Sequence, residues 1–320
     1  MSVVYFENKY YPKIRSGSDF SEERSFLHER GVALEGEGGF FASGLNEGGL
    51  AHFIGNPSVT LKEWVTGSFG DTAPVESSYV PGTCYKRIWR PLVCVGTLSK
   101  TISQEKLYDS FVSLRMLLNK LEDLFETLEP SEANLSAYGH KIREILLLAC
   151  MEVESSWSAV LKENGYSPAG RLTTNDYVKL LEPMLLDGYE LSLQSYPHFP
   201  PFTPFKDWDV SNPTGSLPWY DAYNKTKHDR EEELKLATLS NAVMAVGAVV
   251  VMFHAQFGLN FGTGVFDQKS PIIRNIFRIV TTGFKKYERA FYIPRMTLQA
   301  GTPPTPTPDW NWDLVNYPFA

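Results

Sequence analysis

The segment Trp219-Tyr220-Asp221-Ala222-Tyr223-Asn224-Lys225-Thr226-Lys227-His228-Asp229-Arg230 concentrates side chains that could do chemistry. Asn224 and His228 are four residues apart, so on a helix they share one face. Tyr223, Lys227 and Arg230 share the neighbouring face. Histidine is the side chain whose ordinary pKa lies closest to neutral, so it can give or take a proton. Asparagine brings a donor and an acceptor. Lysine and arginine can hold a phosphate or stabilise developing negative charge. Together these groups suit a metal-independent cleavage in which a 2′-hydroxyl is activated beside a crowded phosphate. Asp229 lies inside the cluster and is a supporting candidate. The bland alternative is that a polar, charged helix start is a solvated turn and nothing more.

These residues need a rigid platform. A helix beginning near Pro218 and running to about Phe257, with Gly258 as its stop, would supply one, because proline is well placed in a first helical turn. Its most apolar stretch, Ala242 to Phe253, is about 12 residues long, which fits a buried core helix better than a membrane span of about 20. Upstream, Leu107, Phe111, Leu114, Leu118, Leu121, Leu124 and Phe125 recur at steps of three and four, which predicts a helix over 104–128 ended by Pro130. A second helix is expected over 134–164 with Gly165 as its stop. A third is expected over 174–193, split by Pro183, and a fifth over 271–290 with a basic side of Arg274, Arg278, Lys285, Lys286 and Arg289.

Glu152 and Glu154 interrupt the apolar faces of the second helix. A carboxylate in such a place must find a partner or shift its pKa. Lys227, His228 and Arg230 are the natural partners if the second and fourth helices pack antiparallel; a structural ion pair and a catalytic one have the same sequence signature. His140, Arg143 and Glu144 lie one turn apart, but the Glu-x-x-His repeats of a di-metal bundle are missing, so no metal and no cofactor is expected. No phosphate-loop motif and no Gly-x-Ser-x-Gly elbow is present.

Residues 1 to about 100 are rich in Gly, Pro, Ser and aromatics. Val32–Gly36 and Gly39–Ser43 read as strands meeting at glycine turns, and Arg87–Arg90 and Leu92–Val95 as further strands around Pro91. The fold class expected is mainly α: a helical bundle over 103–292, a smaller β-rich or irregular region over 1–102, and an extended Pro/Trp-rich tail over 293–320.

With 320 residues, 43% of them hydrophobic and 21% charged, the chain has ordinary globular composition. Its formal charge of −7 argues against a broad electrostatic grip on a phosphate backbone, although it leaves room for a local basic pocket. Three cysteines, Cys84, Cys94 and Cys150, form no Cys-x-x-Cys pair. Reduced thiols in a cytoplasm fit that pattern. Met1 to Ile14 is polar and aromatic, without the apolar core of a signal peptide.

Two antiparallel helices, a shorter intervening helix and a long helix opening with Asn-x-x-x-His resemble the HEPN superfamily (higher eukaryotes and prokaryotes nucleotide-binding). The resemblance covers roughly residues 104–257. It implies a homodimer that binds RNA or a nucleotide, since many members are RNases of toxin, CRISPR-linked and phage-defence systems. The family motif is an Arg, often followed by a polar residue such as Asn, with a His about a turn further on. Asn224 and His228 match the Asn and His. Tyr223 stands where the Arg is expected, so Lys227, Arg230 or Arg143 would have to supply the cation. Otherwise the domain is a non-catalytic interaction protein recognising a protein or nucleotide partner.

Overall fold

Short runs of β-branched and aromatic residues punctuated by glycine build the N-terminal part of the chain. The structure, a computed structural model, describes residues 2–9, 30–36, 39–46, 49–55, 57–90, 103–258, 270–281, 283–284, 292–293, 295–297, 305–306 and 312–319. Two compact units form. The first gathers 1–84, 90–101 and 281–314; the second gathers 85–89, 102–280 and 315–320.

In the first unit, β1 (Val3–Glu7), β2 (Arg30–Gly36), β3 (Gly39–Asn46), β4 (Gly49–Gly55) and β5 (Val75–Ser77) form one antiparallel sheet in the order β4-β3-β2-β1-β5. The helix α1 (Leu61–Phe69) follows a capping box: the Thr60 hydroxyl accepts from the Glu63 amide while the Glu63 carboxylate accepts from the Thr60 amide. Gly70, at φ 75, closes it in the left-handed conformation that glycine adopts without steric cost. Val4, Phe6, Ala33, Phe40 and Ala42 of the sheet pack with Leu61, Val65 and Phe69 of α1.

This sheet overturns the expectation of a mainly helical protein. Helix accounts for 47% and strand for 17%, so the class is mixed α and β. The two strands read from glycine-bounded runs, β2 and β3, are present. Their neighbours β1 and β4 are what turn a hairpin into a sheet, and such pairings depend on ladder partners that periodicity does not reveal. Arg87–Arg90 is not a strand, with Arg87 at φ 54, and Leu92–Val95 lies outside the described residues.

In the second unit, α2 (Gln104–Phe125) and α3 (His140–Glu163) run antiparallel, tied at both ends by Lys120–Glu144 and Lys106–Glu163 ion pairs of 2.7 Å. Helix α3 starts a loop later than the expected residue 134: Glu132–Asn134 is a separate 3₁₀ turn and Gly139 is non-helical. The expected third helix is only α4 (Thr174–Tyr177) and two 3₁₀ turns. Its last residues become a strand, Glu190–Leu193, paired with Phe277–Val280. That second strand also truncates the fifth helix to Ser270–Ile276. Of its basic side, Arg274 lies on this helix and Arg278 on the strand, while Lys285, Lys286 and Arg289 lie outside the described residues.

The expected fourth helix is broken into α5 (Pro218–His228), a short turn of helix (Arg230–Glu233), a 3₁₀ turn (Leu234–Leu236) and a long helix (Leu239–Phe257). Asp229 and Thr238 each act as an N-cap, which ends one helix by starting the next. The long helix packs against α2, α3 and α5 and is buried on every side, including Val246–Val251. It is long and apolar enough to cross a membrane by length and composition, yet 83% of its apolar window is buried inside the protein. A Cβ on Gly247 would sit 2.6 Å from the Phe202 ring, so glycine here permits the close approach.

Candidate functional site

Pro218 opens α5, and the residues Trp219, Tyr220, Ala222, Tyr223 and Thr226 form its buried stripe at steps of three and four. That face lies on α3 and the long core helix. The segment 196–217 that leads into it is a wall rather than an open loop. Phe205 and Trp208 are buried, and the Trp208 and Trp219 indoles donate to the Pro213 and Pro204 carbonyls at 2.9 Å. Both rings, with Phe205, Tyr177 and Tyr220, surround the fully buried Trp157 of α3.

Docking of this stripe decides which candidate groups meet solvent. Lys225, Lys227, His228 and Asp229 are exposed, and Asn224 is half-buried. Lys225 is paired with Asp221 at 2.7 Å. The Asn224 amide donates to the Tyr220 carbonyl at 3.1 Å. Asp229 is engaged as the cap, accepting from the Glu232 amide at 3.2 Å. His228 is exposed with no hydrogen-bond or ion-pair partner among the described residues. The side chain of Arg230 lies outside the described residues, although its backbone opens the next helical turn.

Glu154 is where the buried and exposed halves meet. Its carboxylate accepts from the Tyr220 hydroxyl at 2.5 Å and from the Tyr223 hydroxyl at 3.3 Å. The Lys227 ammonium donates to that same Tyr223 oxygen at 2.9 Å and rests 4.9 Å from the ring centroid. The order is therefore ammonium, phenol, carboxylate. Burial pushes both phenols above the usual tyrosine range, so each stays protonated and can donate. The Tyr223 hydroxyl beside Lys227 in turn holds its ammonium above the ordinary lysine range. The direct ion pair expected between the acids of α3 and the cations of α5 is thus not formed by Glu154: a tyrosine stands between them.

Glu152 faces the other way. It bonds Ser113 of α2 and feels the Arg87 guanidinium, so it does not share the α5 cluster. Burial raises its pKa. The sign follows directly: ionisation is harder in the folded chain, so the group contributes no penalty below its unfolded pKa of about 4.3 and an increasing one as pH rises through and above it. Glu152→Gln is therefore expected to raise the melting temperature at pH 7 by on the order of 1–3 °C. The gain should vanish near pH 4. Thermal unfolding at the two pH values measures it, and an equal gain at both would point to packing instead of charge.

Arg143, the other cation nominated for the site, is already committed. Its Nε and Nη2 donate to the Thr226 carbonyl at 3.2 and 2.8 Å, satisfying an acceptor in the last turn of α5. Tyr220 was not singled out by sequence reasoning. The available signal was its i, i+3 spacing to Tyr223 opposite an acid that interrupts an apolar face. Cys84 and Cys150 are buried, Cys150 as a free thiol whose pKa burial pushes up, and Cys94 lies outside the described residues. Among the described residues no group of three or more His, Cys, Asp or Glu could hold a metal ion.

The second unit also carries an open cleft of about 650 Å³, lined by Glu122, Asp123, Phe125, Glu126, Tyr196 and Asn275 among others. Its carboxylates repel anions, and no residue of α5 lines it. Comparison with protein-family models, curated proteins and solved structures finds no significant match to the chain.

Proposed function

We propose that the exposed end of α5 is a HEPN-like site that binds the phosphate of RNA or a nucleotide, with Lys227 as its cation and His228 as the proton-transfer group for metal-independent cleavage of RNA. The observation that carries this reading is the placement of Lys227. Its ammonium is oriented by Tyr223 and Glu154 from beneath and is exposed beside His228. Lysine thereby takes the part that the motif Arg would play at position 223. Asn224 and His228, one turn apart on the same helix, complete the cluster. A cytoplasmic location fits the buried free thiol of Cys150, and the resemblance suggests a role in stress or phage defence.

A homodimer belongs to the same reading. Val112 and Met116 of α2 and Leu148 and Met151 of α3 are 42%, 57%, 39% and 56% exposed. They lie on two helices that pack against each other and are tied by the ion pairs Lys120–Glu144 and Lys106–Glu163. Exposed apolar side chains on this helix pair are the ones a second copy of the chain would cover.

The test is incubation of the purified protein with labelled RNA in chelator, beside His228→Ala, with the mass in solution measured by light scattering. Cleavage by the wild type, a fall of about 10²–10⁴ in the variant and a dimeric mass are the expected results. The burial of Tyr223 at the motif Arg position favours a second reading, a non-catalytic interaction protein. Binding without any cleavage would select it, and a strictly monomeric mass would count heavily against the nuclease.

A further inference from the structure

Two of the cations around α5 are already engaged. Lys225 is neutralised by Asp221, and Arg143 is forked onto the Thr226 carbonyl. Among the described side chains this leaves the Lys227 ammonium and the His228 imidazole. An ammonium has three donors; one is used on Tyr223, so two remain for a ligand. Immediately beyond, the run Asp229-Arg230-Glu231-Glu232-Glu233 carries four carboxylates against one guanidinium, and Lys235 comes only after it. A polyanion laid along this run would exchange its counterions for a segment of net negative charge, the opposite of what strand binding requires. The tether to Tyr223 also holds Lys227 in place, so it cannot follow a strand from phosphate to phosphate.

We infer that the α5 end is a one-phosphate site, which takes the phosphomonoester of a mononucleotide and not a run of RNA backbone. This rests on the phosphate-binding reading above and narrows its ligand. One ammonium and one imidazole match the two or three oxygens of a single terminal phosphate. The acids that follow act as a fence, disfavouring a second phosphate. The acidic cleft at the end of α2 offers no rival anion site.

The probes are adenosine, adenosine 5′-monophosphate and 5′-phosphorylated RNA of three and twelve nucleotides, titrated calorimetrically into the wild type, Lys227→Ala and His228→Ala at several salt concentrations. The monophosphate and both RNAs are expected to bind within about threefold of one another, with a salt slope of roughly −0.7, the value for about one phosphate on a single strand. Adenosine should bind at least about tenfold more weakly, and Lys227→Ala should remove most of the difference. Affinity that climbs tenfold or more from three to twelve nucleotides, with a slope of about −3 or steeper, overturns the one-phosphate inference. If that binding is lost in Lys227→Ala, the site itself survives. If Lys227→Ala and His228→Ala leave the affinity for every probe unchanged, or no probe binds, the phosphate-site reading falls and this inference with it.

Discussion

Replacing Trp157 by alanine is expected to cost the second unit about 3–5 kcal/mol of stability, the range for deleting a large buried aromatic. The ring is fully buried, stacks on Trp208 at 4.9 Å between centroids with planes 24° apart, and meets Tyr177, Phe205, Trp219 and Tyr220 as well. Three of these five neighbours are themselves held and resist moving into the space: Trp208 and Trp219 by indole hydrogen bonds, Tyr220 by Glu154. Trp157→Phe should lose far less, since the indole N–H that it removes has no hydrogen-bond partner among the described residues. Urea unfolding followed by circular dichroism at 222 nm, where the helical signal is read, gives both values. A loss below about 1 kcal/mol for the alanine variant would mean that the cluster is not packed as described.

The second large effect concerns Glu154. Glu154→Ala strips two buried phenols of their shared acceptor, and leaving such donors unsatisfied costs about 1–3 kcal/mol apiece. The two hydroxyls differ in length to the carboxylate, 2.5 against 3.3 Å, so most of the loss belongs to Tyr220. A double-mutant cycle of Glu154→Ala with Tyr220→Phe should therefore show a coupling of about 1–3 kcal/mol, and the cycle with Tyr223→Phe a smaller one. The same change unseats Lys227, because Tyr223 would turn its hydroxyl to another acceptor. Phosphate affinity should fall in Glu154→Ala and be largely kept in Glu154→Gln, which retains an acceptor oxygen. Stability lost with phosphate affinity intact would separate the carboxylate's structural part from any part in orienting the cation.

Much of this was readable from the chain alone, where the controlling interactions are local. Steps of three and four placed α2 and most of α3, because helical periodicity is set by residues within two turns of each other. The all-apolar run from Ala242 to Phe253 announced the buried core helix, and glycine-bounded β-branched runs announced β2 and β3. Asn224 and His228 had to share a face once α5 was a helix.

What only the tertiary structure decided depends on partners distant in sequence. The segment 190–193 is a strand because Phe277–Val280 is beside it, and the same pairing cuts short a helix that local propensity favoured. Asp229 breaks the long helix because α5 must lay an amphipathic face on α3 while the apolar helix after it must be enclosed on all sides. The class became mixed through β1 and β4, whose value lies in ladders with strands elsewhere in the chain. Glu154 needed a partner, as its place in an apolar face required, but a sequence separation of 66 leaves that partner open. Burial selected the neutral phenols of Tyr220 and Tyr223 over a bare cation: two hydroxyls satisfy a half-buried carboxylate without desolvating an ammonium, so Lys227 keeps its charge at the surface, where a phosphate could reach it.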